Sequence, residues 1–485
     1  LQAGEADDLG ELGRQLVILP TGAGKSLCFQ LPALLLEGPT LVIYPILSLL
    51  ADQERRLAER GFAPVQIRGG QSAEERNNIF SRVRSGESRF IIANPEVLIV
   101  PRMLAELESL GIVHLVIDEA HCVSEWGESF RPAYLEIHKI IEAARCPLVT
   151  AFTATASAPV LDGIERHIFA GNGVRRVIGN PGRINIGYGA RGCILKNIAV
   201  RDMLVSHERP AIVFCSSRKG TETLSRYLRF ELEAMGEEDS GEIRFYHAGL
   251  EREEKKNIEA WFLHNPRGVL CATCAFGLGV DKADIRTVIH RDCPPTVEAY
   301  LQESGRAGRD GKNAAALLLF GPDDERRLSL MDEGVQKERF VRLLDYARDR
   351  EHCRRKALLS LLDYPGEAET PEDFCCDVCG RKKPEDRTGQ NSLKGKNKLS
   401  FDALYREEKS ILDFFSRNKR RYTLSEAARE LEQAGTIRWT ETEAKIVIRY
   451  LLAAGKLKEG KSPLWKGKLS PEHRHTRLGP KTTPR

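Results

Sequence analysis

Leu16-Val17-Ile18-Leu19-Pro20-Thr21-Gly22-Ala23-Gly24-Lys25-Ser26 is an apolar run, a turn with two glycines and the opening of a helical stretch, in that order. Strand, Gly-rich turn and helix in immediate succession form the unit from which parallel α/β sheets are wound, and also a phosphate-binding loop. Gly22 and Gly24 let backbone N–H groups approach an anion, and the start of the helix adds positive potential. Lys25 is long enough to reach terminal phosphates, and the Ser26 hydroxyl suits Mg²⁺. Thr21, Gly22, Ala23, Gly24, Lys25 and Ser26 are therefore the expected ATP and Mg²⁺ contacts. The strict pattern has a glycine at position 19, where this chain has Leu19, so the loop alone also admits a turn of no function.

The same rhythm continues along the chain. Leu16–Leu19, Thr40–Tyr44, Phe90–Ala93, His114–Ile117 and Leu148–Phe152 are apolar runs separated by amphipathic stretches, which predicts one α/β domain over residues 1–180. After a Gly/Asn/Pro-rich stretch from Gly171 to Gly189, the runs Ala211–Cys215, Ile243–Tyr246, Val269–Ala272, Thr287–Ile289 and Ala314–Phe320 predict a second of similar plan over 181–322. Charged helices and a cysteine cluster follow over 323–385, then a polar, Lys-rich linker over 386–399. Ile411–Phe415, Leu424–Leu431 and Ala444–Leu452 read as three short helices ahead of a hairpin around Ser462-Pro463, a winged-helix pattern over 400–469. Residues 470–485, rich in Pro, Thr and basic side chains, are expected to be disordered.

The 485 residues exceed the roughly 250 to 300 at which one core stops growing, so several domains are expected. A content of 41% hydrophobic and 29% charged residues excludes a disordered chain. The 73 basic and 69 acidic residues nearly cancel, so the net charge of +4 is only weak evidence of a polyanionic partner and the local distribution must decide. Twelve cysteines, mostly single and within apolar runs, argue for a reducing cytosol rather than a secreted disulfide framework. No membrane span is expected, because the longest apolar candidate, Leu31 to Leu50, is broken by Pro32, Glu37, Gly38 and Pro45. Gly4 to Gly13 is polar and acidic, unlike a signal peptide, and a cytoplasmic protein is expected. Because the chain begins at Leu1 and not Met, a missing native start is also expected.

Asp118-Glu119-Ala120-His121 closes the run His114–Ile117, where a second acidic metal partner belongs. Asp118 would hold Mg²⁺ through water, and Glu119 would orient and deprotonate the attacking water. Eight residues on, Trp126 and Phe130 offer flat faces for unstacked bases and Arg131 a cation, although both rings could equally be core anchors.

Tandem α/β domains with these motifs resemble superfamily 2 helicases, and the run Asp118 to Pro132 is similar to the ATPase motif and aromatic-rich loop of the RecQ family. That family implies two RecA-like domains, a helical zinc-binding module and a winged helix, with the loop coupling DNA binding to hydrolysis. Thr153-Ala154-Thr155 resembles its motif linking the ATP and DNA sites. Pro45 to Leu50 with Asp52-Gln53, and Asn94-Pro95-Glu96, resemble its backbone-contact motifs; Tyr44 and Asn94 depart from the more usual Ser and Thr. Tyr246 to Leu250 and Phe276 to Lys282 match second-domain motifs, and Gln302 to Gly311 is the strongest match of all. Within it, Arg306 and Arg309 could reach the γ-phosphate, with Arg309 expected as the arginine finger and Arg306 as its partner. The resemblance thus implies catalytic roles for Lys25, Asp118, Glu119, His121, Gln302, Arg306 and Arg309, and DNA-coupling roles for Trp126, Phe130, Arg131, Thr153 and Thr155. Leu1 to Gln15 holds no convincing copy of the family's Gln-containing adenine segment, so truncation or divergence there is expected.

Cys375-Cys376-Asp377-Val378-Cys379 supplies three thiols within five residues, and Cys353, on a preceding Arg-rich helix, could fold back as a fourth soft ligand for Zn²⁺. The spacing usual in the RecQ zinc domain that the segment resembles would place Asp373 at the second ligand position, but adjacent cysteines occur in some relatives, so Cys375 is preferred with Asp373 as the alternative. Beyond the linker, Arg417, Lys419, Arg420 and Arg421, with Lys456, Lys458, Lys461, Lys466 and Lys468, would neutralise phosphates. Trp465 either packs the hairpin or wedges into a duplex end. The expected activity is ATP hydrolysis coupled to movement on single-stranded DNA and to duplex unwinding, with 3′–5′ polarity implied by the resemblance alone. An RNA-dependent remodelling ATPase and a DNA-binding adaptor with a dead motor are the other classes; the adaptor requires loss of Lys25, Glu119 or Arg309, all of which are present.

Overall fold

Seven parallel strands form the first sheet: β1 (Arg14–Ile18), β2 (Thr40–Ile43), β3 (Val65–Ile67), β4 (Phe90–Ala93), β5 (His114–Ile117), β6 (Leu148–Thr153) and β7 (Arg175–Ile178), in the order β3-β4-β2-β5-β6-β1-β7. Six more form the second: β8 (Ile186–Gly192), β9 (Ala211–Phe214), β10 (Ile243–Tyr246), β11 (Val269–Ala272), β12 (Thr287–His290) and β13 (Ala314–Phe320), in the order β10-β11-β9-β12-β13-β8. This computed structural model describes residues 13–20, 23–45, 47–123, 132–154, 157–237, 239–277, 282–364, 366, 371, 375–381, 406–433, 439–460 and 466–471. Central strands such as Leu41-Val42-Ile43 and Leu115-Val116-Ile117 are buried on both faces, which is why they read as unbroken apolar runs rather than alternating ones. Helices cover both faces of each sheet, closing two cores in the first domain and two in the second.

Three strands escape the pattern for separate reasons. β3 is only Val-Gln-Ile, and β7, at the sheet edge, is exposed at all four residues. β8 begins inside the Gly/Asn/Pro-rich stretch expected to be a passage between domains and runs three residues beyond it. Three of its seven residues are glycine, and only pairing with β13, from Ile186 opposite Ala314 to Gly192 opposite Phe320, makes it a strand.

After β13 come the helices Pro322–Ser329, Val335–Arg348 and Arg354–Leu361. The cysteine segment then lies along the free edge of β8: Tyr188 N donates to Cys375 O at 3.3 Å, and Asp377 N to Tyr188 O at 3.0 Å. Three further helices, Arg406–Arg417, Leu424–Gln433 and Glu441–Ala453, with the antiparallel pair β14 (Leu457–Glu459) and β15 (Leu469–Pro471), build the winged-helix arrangement. Its core takes in Leu195 and Ile198 from the second domain, so it is seated on that domain. Lys461 and Trp465 fall outside the described residues, as do the linker and residues 472–485. Among the described residues, no helix is long and apolar enough to cross a membrane.

Candidate functional site

The loops that follow β1, β5 and β6 all leave the same edge of the first sheet, because the three strands are parallel neighbours in the order β5-β6-β1. Gly24 caps the helix Lys25–Leu35 with φ +83°, a left-handed conformation that glycine adopts at no cost. Ala23 and Ser26 flank that turn, while Thr21 and Gly22 lie outside the described residues. Leu19, the departure from the strict pattern, is accommodated by a glycine elsewhere. Gly179 N donates to Ile18 O at 2.8 Å, and a Cβ on Gly179 would stand 2.7 Å from the Leu19 side chain.

Lys25 Nζ lies 3.5 Å from Glu119 Oε1, which brings together the two motifs the sequence separates by more than ninety residues. Glu119 has φ +51°, a strained conformation for a residue with a side chain, and its backbone N–H donates to Asp118 Oδ1 at 2.9 Å. His121 Nδ1 stands 3.4 Å from Glu119 Oε2 and 3.1 Å from the buried Thr153 hydroxyl at the end of β6. Burial and the neighbouring Glu119 charge push Asp118 up to about 6. Burial works the same way on Glu119, but Lys25, His121 and Arg306 outweigh it and hold that carboxyl below its ordinary value.

Arg306 belongs to the other domain, so its charge on Glu119 marks the place where the two sheets face each other. Gln302 rides half-buried on the helix Val297–Ser304; Arg306 is buried and Arg309 half-buried on the turn after it. Arg309 sits near Arg183, whose guanidinium feels its charge. A second link crosses the cleft: Ser157, just beyond the Thr153 motif, donates to Glu298 on the Gln302 helix, and Arg339 holds Glu298 from the other side at 3.2 Å. Trp126, Phe130, Arg131 and Thr155 lie outside the described residues, so the structure places only Thr153 among the expected DNA-coupling residues. Leu278 to Asp281 lie outside them too, and Asn94 uses its amide to bind Glu96 at 2.7 Å.

The sulfurs of Cys353, Cys375, Cys376 and Cys379 all lie within 4.8 Å of one another. Tetrahedral zinc with Zn–S bonds of about 2.3 Å needs sulfurs about 3.8 Å apart. Cys353 and Cys375 are separated by 3.5 Å and Cys353 and Cys376 by 4.0 Å, a spacing that fits the ion and is far too long for a disulfide. Cys379 N also donates to Cys376 Sγ at 3.4 Å. Cys353 is the residue capping the helix Arg354–Leu361 rather than one within it, and Asp373 lies outside the described residues.

Sequence reasoning missed the charges that anchor this cluster. Arg354 and Asp377, both buried, pair at 3.0 Å, and removing either partner would strand the other at a cost of about 3–5 kcal/mol. A signal existed: each is the immediate neighbour of a cysteine of the cluster, so bringing Cys353 to Cys376 brings their neighbours together. Arg355, equally buried, was hidden in what reads as a solvated basic helix.

A phosphate loop and an acidic pair on one RecA-like domain, faced by Arg306 from a second, define a nucleotide-driven motor of the helicase class. Residues 7–163 match the DEAD/DEAH box helicase family, and residues 195–311 the helicase conserved C-terminal domain. The chain is 35% identical over 71% of its length to a probable ATP-dependent DNA helicase RecS of Bacillus subtilis, covering 69% of that protein. It is 32% identical over 84% of its length to the ATP-dependent DNA helicase RecQ of the same organism, covering 65% of it. It spans 57% of the RecQ helicase of Pasteurella multocida, at 32% identity over 75% of this chain. A solved structure of the helicase MrfA bound to DNA shares the fold, with a TM-score of 0.55 over 96% of this chain and 59% of that one, at 17% identity. The chain belongs to the RecQ family.

Proposed function

We propose that this protein is an ATP-dependent DNA helicase that moves 3′–5′ on single-stranded DNA and separates duplexes in repair or recombination, in the cytoplasm or on the nucleoid. The observation that carries the reading is the meeting of Lys25, Glu119 and Arg306 from three separated motifs at one cleft. Lys25 and the loop from Thr21 to Ser26 bind the phosphates. The residues fit Mg²⁺: a hydroxyl and a carboxylate are the hard oxygen donors it takes, and the crowded charge of Asp118 and Glu119 leaves Asp118 in need of a cation. Bound through Ser26 and Asp118, the ion would neutralise charge on the phosphate oxygens. Glu119 takes the proton of the attacking water, with His121 and Gln302 orienting the site, and Arg309, partnered by Arg306, stabilises the charge that develops in the transition state. Trp126, Phe130 and Arg131 sense the strand, and Thr153 and Thr155 pass its presence to His121 and Glu119; the 3.1 Å bond from Thr153 to His121 supports that route.

ATPase rates with single-stranded DNA, duplex DNA and RNA test this reading. Strong stimulation by single-stranded DNA and unwinding of a duplex with a 3′ tail are expected. Equal stimulation by RNA would favour a remodelling ATPase, and the absence of turnover under all three conditions would leave only a DNA-binding adaptor.

A further inference from the structure

Arg306 and Arg309 ride on a turn outside any helix or strand. Its far end is tied to the segment ahead of β12, through Gly308 N to Ile285 O at 2.8 Å, Asp310 N to Ala283 O at 3.1 Å and Arg286 to Asp310 at 2.6 Å. Its carbonyls are held by a second set of donors, from the chain just ahead of β8. Arg183 donates through Nη2 to Gly308 O at 2.6 Å and Ala307 O at 3.5 Å, and through Nη1 to Gly305 O at 3.4 Å. Asn185 Nδ2 bridges Gly308 O and Lys312 O at 2.8 Å each. Carbonyls on both sides of Arg306, and the one immediately before Arg309, are thus fixed from one side.

The segment carrying these donors is in turn held by the zinc module. Arg355, 1% exposed and two residues after Cys353, donates to Arg183 O at 2.6 Å and Ile186 O at 2.7 Å, with Ile184 O at 3.5 Å. Its guanidinium lies over the Tyr188 ring at 5.4 Å, and Tyr188 in turn is hydrogen-bonded through its backbone to Cys375 O and Asp377 N. A planar fork can satisfy several carbonyls in fixed directions where an ammonium cannot. The contacts therefore run without a gap from the cysteine cluster through Arg355 and Arg183 to the turn.

We infer that Arg183, with Asn185, is a positioning residue for the arginine turn, and that Arg355 sets it from the zinc module, so that the module governs how fast the motor turns over. The inference rests on the reading of Arg309 as the transition-state cation. A finger acts on the transition state, so displacing it lowers kcat and leaves the ground-state affinity for ATP almost unchanged.

The test uses the full chain with Arg183→Lys, Asn185→Ala, Arg355→Lys, the double variant Arg183→Lys/Arg355→Lys, and Arg309→Ala as reference. Zinc content, melting temperature, affinity for a non-hydrolysable ATP analogue, and kcat and KM for ATP at saturating single-stranded DNA are measured for each. Arg183→Lys and Arg355→Lys are expected to keep one zinc per chain and to lower kcat about 10-fold or more, with KM within about 2-fold. Asn185→Ala, the mildest change to folding, should lower kcat in the same sense. The double variant should be no slower than the slower single one, because the two residues act in series. Unchanged kcat in Arg183→Lys and Asn185→Ala overturns the inference, and so does a fall in kcat that only tracks lost zinc or a lower melting temperature. Full turnover in Arg309→Ala would instead remove the reading of the turn itself, and the inference with it.

Discussion

Gly308→Ala is the smallest change that should disable the arginine turn. Gly308 has φ +55°, and a Cβ there would stand 2.5 Å from Lys312 O, 2.6 Å from Asn185 Nδ2 and 3.1 Å from Ala314 Cβ. The left-handed conformation costs an alanine about 1–2 kcal/mol, and relieving the contacts means breaking the two hydrogen bonds of Asn185, at about 1 kcal/mol each. The sum, about 3–4 kcal/mol, is too large to be absorbed in place and too small to unfold a domain seated in a full core, so the turn shifts locally. A shift of about 1 Å at a catalytic group costs about 100-fold in rate. Single-stranded-DNA-stimulated ATPase should therefore lose about 100-fold in kcat, while zinc content and ATP-analogue binding stay near those of the parent protein. Parental kcat in a folded Gly308→Ala protein would refute both the strained turn and its catalytic role.

Glu119→Gln should bind ATP and fail to hydrolyse it, because the amide keeps the shape without the base; turnover near the parental rate would remove the assignment. Metal analysis after chelator-free purification should find one zinc per chain, and Cys375→Ser should lower folded yield more than Asp373→Ala, with the reverse order selecting Asp373. Trp126→Ala should keep basal ATPase and lose DNA stimulation; a destabilised protein with its stimulation ratio intact would make Trp126 a core anchor. His114, buried between strands and bonded to Thr150 at 3.0 Å, is held by burial at about 4, below its ordinary 6.5. The unfolded chain therefore protonates first as pH falls. About 3 kcal/mol of stability, present above pH 6.5, should be lost between there and pH 4, and His114→Gln should flatten that part of the curve of melting temperature against pH.

Motif residues adjacent in the chain were legible because their chemistry is local: Gly24 before Lys25, Asp118 beside Glu119 and three cysteines within five residues each carry their reason with them. The doubly buried strands were legible for the same kind of reason, since an unbroken apolar run needs no partner to be recognised. What the sequence could not determine are the features that exist only when distant segments meet. Leu19 is harmless because Gly179 makes room for it, and β8 is a strand because β13 pairs with it. Arg354 and Arg355 read only as part of an Arg-rich helix, yet the folded chain binds Arg355, and Arg183 with it, to carbonyls up to 172 residues away and buries Arg354 against Asp377. A charge declares itself in sequence; whether it is solvated or fully paired depends on which backbone oxygens and carboxylates the tertiary fold brings within about 3 Å of it.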